Sequence, residues 1–84
     1  ATGDYDAARK LYQQSLEIAQ ELGVKDGIAV SQAQLALLEE KLGNAMDALN
    51  LIQLVEEAFF ELKSPMATQA RKVRERLEKK LSPS

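Results

Sequence analysis

Cysteine and histidine are both absent from the 84 residues. Disulfides, thiolate zinc sites, cysteine nucleophiles and imidazole bases are therefore excluded together, and with them most enzyme mechanisms. Tryptophan is missing, aromatics make up 5% of the chain, and the helix breakers amount to four Gly and two Pro. No apolar run approaches the roughly 18 residues of a membrane span, and no basic stretch followed by an apolar one opens the sequence. A cytoplasmic protein without a membrane partner is expected. There is no glycine loop to cradle phosphate and no metal-ligand constellation, so no metal, no cofactor and no catalytic residue is expected. Paired carboxylates do occur, as Asp4 with Asp6, Glu39 with Glu40 and Glu56 with Glu57. Adjacent helical positions point about 100° apart, and such pairs are usually solvated.

What remains is 45% apolar and 29% charged, rich in the strong helix formers Ala, Leu, Glu, Gln and Lys. The net charge of −2 hides an asymmetry: residues 1–64 hold five Lys/Arg against eleven Asp/Glu, and residues 65–84 hold six against two. A basic end can serve acidic ligands or nucleic acid; it can equally be the solvated side of a terminal helix, which is the simpler expectation.

The chain repeats itself. Gly3 returns as Gly43, Asp4 as Asn44, Ala8 as Ala48, Leu11 as Leu51, Glu17 as Glu57, Glu21 as Glu61 and Leu22 as Leu62, all at an offset of forty. Tyr12 returns as Ile52 and keeps its apolar character. Self-similarity at 20 to 50 residues marks a solenoid, in which each unit buries its apolar face against its neighbours.

Breakers at Gly3, Gly23 with Gly27, Gly43, Ser64-Pro65 and Ser82-Pro83 divide the sequence into four helices, about 4–22, 27–42, 44–63 and 65–81, in one all-α domain over residues 1–84. Asp4, Asn44 and Ser64 are the expected N-caps, and Pro65 suits a first helical turn. The second helix is apolar nearly all round, with Gln32, Gln34 and Glu39-Glu40-Lys41 the residues expected in water. Phe59 and Phe60 cannot both face one core. In the last helix Met66, Ala70, Val73, Leu77 and Leu81 form a single narrow stripe among charges, as expected of a helix that closes a stack with a polar outer face.

These residues resemble tetratricopeptide repeats. Gly3-Asp4-Tyr5-Asp6-Ala7-Ala8, followed by Tyr12 and Ser15, is similar to the second helix of such a repeat; Leu35-Ala36-Leu37-Leu38 before Gly43 is similar to the first helix and turn of the next. The resemblance implies antiparallel helix pairs stacked in a TPR-like α-solenoid with a right-handed superhelical twist. It places Gly3 in an inter-helix turn, Tyr5 and Tyr12 in the space between helices, and Ala8 and Ala48 where helices approach closely. Arg76 stands where a small residue would receive a further helix. The chain then starts on the second helix of a repeat, as a fragment of a longer array would, and ends on a capping helix.

Two surfaces follow from the resemblance. The ligand groove of this family is lined by first helices, here residues 27–42 and 65–81, and carries Val30, Ala33, Gln34, Leu37 and Lys41, then Ala70, Val73, Arg74, Leu77 and Leu81. Among these, Gln34, Leu37, Lys41, Arg74 and Leu77 are the candidate partner-binding residues, with the three polar side chains holding carboxylates or backbone of a peptide. Tyr5, Ala8 and Tyr12 are the candidate self-association residues. The expected function is protein–protein interaction with a peptide or protein partner. The alternative is a homo-oligomeric structural element that pairs through the first helix. Nucleic-acid binding by Arg71, Lys72, Arg74, Arg76, Lys79 and Lys80 is disfavoured, because no aromatic interleaves with them and the rest of the chain is acidic.

Overall fold

The computed structural model describes residues 2–82 of the chain and the side chains from Asp4 onward; Ala1, Pro83 and Ser84 lie outside the described residues. Four helices follow one another: α1 (Thr2–Leu22), α2 (Lys25–Lys41), α3 (Ala45–Glu61) and α4 (Met66–Leu81). Among the described residues there is no strand, and no helix is long and apolar enough to cross a membrane.

Each connection has the same chemistry. Gly23 sits at φ +70° and Gly43 at φ +86°, the left-handed conformation glycine adopts without a Cβ penalty. At the first turn the Gly23 amide donates to the Gln20 carbonyl and the Val24 amide to Ala19; at the second, Gly43 donates to Glu40 and Asn44 to Glu39. These paired bonds close orphan carbonyls at the helix end in a Schellman motif. The third turn repeats them, Lys63 donating to Phe60 and Ser64 to Phe59, although the left-handed residue is now Lys63 at φ +57°. The three positive-φ residues are spaced by twenty, so the forty-residue sequence period is a structural period as well. Helix α3 therefore ends at Glu61, before the expected limit at 63.

The helix starts differ from the expected ones. Gly3 and Asp4 lie inside α1, which begins at Thr2; Asp4 in the first turn complements the positive end of the helix dipole instead of capping it. Helix α2 begins at Lys25, so Gly27 is also inside a first turn. Asn44 does occupy the N-cap position of α3, but its side chain makes no cap bond; the amide donates to Glu39 Oε2 at 3.0 Å and ties the turn back to α2. Ser64 Oγ accepts from the Met66 amide at 3.2 Å, with Pro65 between them.

Short turns reverse the chain each time. Early α1 faces late α2, early α2 faces late α3, and late α3 faces early α4, so sequence neighbours are antiparallel while α2 and α4 run parallel. The main packing joins α1 to α2, α2 to α3 and α3 to α4. The extents of 42 × 34 × 15 Å describe a slab whose thin dimension holds about two helix layers at the usual spacing of roughly 8–10 Å.

Its core centres on α3. Ala48, Ile52, Val55 and Phe59 recur at four, three and four residues and are all buried, between Ala29 and Ala36 of α2 and Ala70 and Leu77 of α4. The alanines on the flanking helices let the backbones approach closely, and the large side chains of α3 fill the space between. Burying Ile52, Val55 or Leu77 contributes roughly 1.5–3 kcal/mol each. Of the adjacent aromatics, Phe59 is 3% exposed and Phe60 is 76% exposed. The α4 stripe is less uniform than its spacing: Leu77 is fully buried, Val73 half-buried and Leu81 exposed, since Leu81 falls in the last turn, beyond the end of the neighbouring helix.

Candidate functional site

Two apolar troughs lie on either side of α2. The first runs between α2 and α4 with α3 as its floor and has a volume of about 470 Å³. Ala33 and Leu37 form one wall, Ala70 and Val73 the other; Ile52, Val55 and Phe59 lie beneath, and Met66 and Gln69 stand at one end. The floor is core, so the apolar surface a ligand meets is chiefly that of Leu37 and Met66, 41% and 48% exposed. Helical spacing carries the walls one turn beyond Leu37 and Val73 to Glu40 and Arg76. There Arg76 donates to both Glu40 oxygens, at 2.6 and 2.9 Å, and Lys80 donates at 2.7 Å, joining the two walls.

The Glu40 side chain is only 10% exposed. The hydrogen bond from Arg76 is the main reason that its pKa falls from 4.5 to about 2; the bond from Lys80 adds to this, and burial opposes both. Arg76 is shifted in the complementary sense, upward, by the same bond.

The second trough lies between α1 and α2. At one end Asp4, Tyr5, Ala8 and Tyr12 face Gln34, Leu37, Leu38 and Lys41 across about 310 Å³. At the other, Ser15, Ile18, Ala19 and Leu22 face Gly27, Val30, Ser31 and Gln34 across about 530 Å³.

The sequence-derived residues are divided between these troughs. Leu37 borders both. Gln34 and Lys41, expected opposite α4, instead face Tyr5, Ala8 and Tyr12 of α1, so two sets derived separately share one surface. Leu77 is 0% exposed and its side chain is wholly occupied by the core. Arg74 is engaged on the other side of α4: it donates to Glu56 of α3 and, at 3.0 Å, to Glu78. The bond to Glu56 raises its pKa further. Three of the six basic residues of the C-terminal stretch, Arg74, Arg76 and Lys80, are thus held by carboxylates of this chain. Glu39 and Glu40, expected in water, are mostly covered and bridge helices.

Met66 and Gln69 are the trough residues that position in the repeat did not single out. Their signal was present: with Ala70 and Val73 they follow the i, i+3, i+4, i+7 spacing of one helix face.

A tetratricopeptide repeat family model matches residues 1–59 of the chain. Comparison with curated proteins and with solved structures finds no match.

Proposed function

The chain belongs to the tetratricopeptide repeat family, and from that premise we propose that it binds an apolar peptide segment of a partner protein in the trough between α2 and α4. Membership implies a non-catalytic scaffold for protein–protein interaction. The observation that supports the finer reading is the open trough itself, with Leu37 and Met66 exposed at its lips above a floor of Ile52, Val55 and Phe59. Concave, largely apolar sites with a few polar groups at the margin are where ligands bind. An inserted apolar side chain would cover Leu37 and Met66, while Gln69 offers an amide to the peptide backbone.

Of the polar residues first considered, Gln34 and Lys41 remain exposed on the far edge of α2. Among the described residues Lys41 makes no ion pair, whereas Arg74, Arg76 and Lys80 do. Gln34 and Lys41 nevertheless lie on the α1 side of α2, outside this trough, so recognition in this reading rests on Leu37, Met66 and Gln69, and Arg74 and Leu77 serve the fold.

Selection of a displayed peptide library on the chain tests this. Apolar peptides should be enriched and should lose binding to a Met66→Glu, Gln69→Glu double variant. Selected peptides that bind that variant as well as the parent chain would place the site elsewhere.

A further inference from the structure

The forty-residue period makes α3 a template for α1. Ala48, Ile52, Val55 and Phe59 correspond to Ala8, Tyr12, Ser15 and Ala19. On α3 these positions are 0–3% exposed, because α2 and α4 cover them from both sides. On α1, Ser15 is exposed and the other three are half-buried, since α2 is the main element packed against them. The uncovered face extends to Leu11, Ile18 and Leu22, which are 62%, 57% and 72% exposed. Among the described residues, seven of the thirteen exposed large apolar side chains lie on this end of the slab, a concentration that marks an interaction surface.

The opposite end differs. Ala29 and Ala36 of α2, both fully buried, correspond to Gln69 and Arg76 on α4, and Arg71, Lys72, Glu75 and Lys79 are exposed there. One end of the stack is apolar and the other is charged.

We propose that the α1–α2 face is the interface between two copies of this chain related by a two-fold axis. Self-pairing sets one face against a copy of itself, so charge of one sign concentrated there would repel, and the face must be free of it. This face meets that requirement: charge appears at its ends, as Asp4 with Lys41 and as Asp26, and the side chains between are uncharged. Large and small residues alternate along it as Tyr5, Ala8, Tyr12, Ser15. An antiparallel second copy can therefore set its Ala8 against Tyr12 and its Ser15 against Tyr5. Head-to-tail association would instead press the charged α4 face onto the apolar trough and leave Arg71 and Lys72 desolvated without partners. The two-fold arrangement closes at two chains, and it uses a surface separate from the α4 side of Leu37.

Sedimentation equilibrium of the chain from low to high micromolar concentration tests the proposal. A reversible monomer–dimer equilibrium is expected, with no larger species. Leu11→Lys and Tyr5→Lys should each weaken the dimer by roughly tenfold or more, with unchanged helical circular dichroism because both side chains are already exposed in one copy. Met66→Glu, on the other side of α2, should leave the dimer intact, so that failure here is distinguishable from failure of the peptide site. A monomer at high micromolar concentration, an open series of larger species, or Lys variants that dimerise like the parent would each overturn it.

Discussion

Glu39 and Glu40 are adjacent in sequence, yet they hold helices on opposite sides of α2. Glu39 accepts from Arg9 of α1 at 2.7 and 3.0 Å, and Glu40 accepts from Arg76 and Lys80 of α4 at 2.6 to 2.9 Å. The turn of about 100° between consecutive helical residues makes neighbouring carboxylates aim at different partners. Helix α2 is thereby tied to α1 and α4 near its C-terminal end.

Replacing Glu40 by Gln should destabilise the chain by about 1 kcal/mol at neutral pH, a modest amount because Arg76 and Lys80 remain half-exposed and solvent screens them. The pH dependence is more diagnostic. Glu40 has a folded pKa of about 2 against 4.5 unperturbed, so its contribution is present above 4.5 and disappears as pH falls from 4.5 toward 2. Urea melts across that interval should show a steeper loss of stability in the parent chain than in the Gln variant.

Lys63→Gly should stabilise the chain by about 1 kcal/mol, because at φ +57° a Cβ crowds the backbone and glycine has none. In a chain of this size that corresponds to a rise of roughly 4–8 °C in the thermal midpoint. Gly43→Ala, at φ +86°, should lower the midpoint by a similar amount.

The paired aromatics give a sharp contrast between adjacent positions. Phe59→Ala removes a buried ring from the centre of the core and should cost about 3–5 kcal/mol. Phe60→Ala removes a ring that is 76% exposed and should change stability by less than about 0.5 kcal/mol. Chemical denaturation of both variants checks the pair.

Met66→Glu should reduce affinity for a peptide selected on the parent chain by about tenfold, equivalent to about 1.4 kcal/mol, with the thermal midpoint little changed because Met66 is half-exposed. Calorimetric titration gives the affinity and a melt gives the control.

Helix content and the first two turns were legible because Gly23 and Gly43 punctuate strongly apolar periodic stretches. The third turn was marked by Ser64-Pro65, but its left-handed residue was not legible, since Lys63 carries no local signal; only its place twenty residues after Gly43 identifies it. The inter-helix ion pairs were hidden for a related reason. Arg9 and Arg76 stand 30 and 36 residues from Glu39 and Glu40, and local periodicity shows charges only as a solvated face. Position in the repeat also put Gln34, Leu37 and Lys41 together on α2, but it did not say whether α1 or α4 lay across from them. Arg74 and Leu77 were assigned by position in the repeat, and their partners on α3 could not be read from α4 alone.

The packing of each helix chiefly against its sequence neighbours also governs how the chain comes apart. Helix α1 packs chiefly against α2, while α3 is flanked on both sides, and a one-dimensional stack opens most easily at a member with one principal neighbour. Amide hydrogen exchange should accordingly be fastest along α1 and slowest around Ile52 and Val55, with protection graded from the end inward. The face with most apolar surface to offer a second molecule therefore belongs to the helix that the fold itself holds least firmly, so whatever covers that face will also stiffen it.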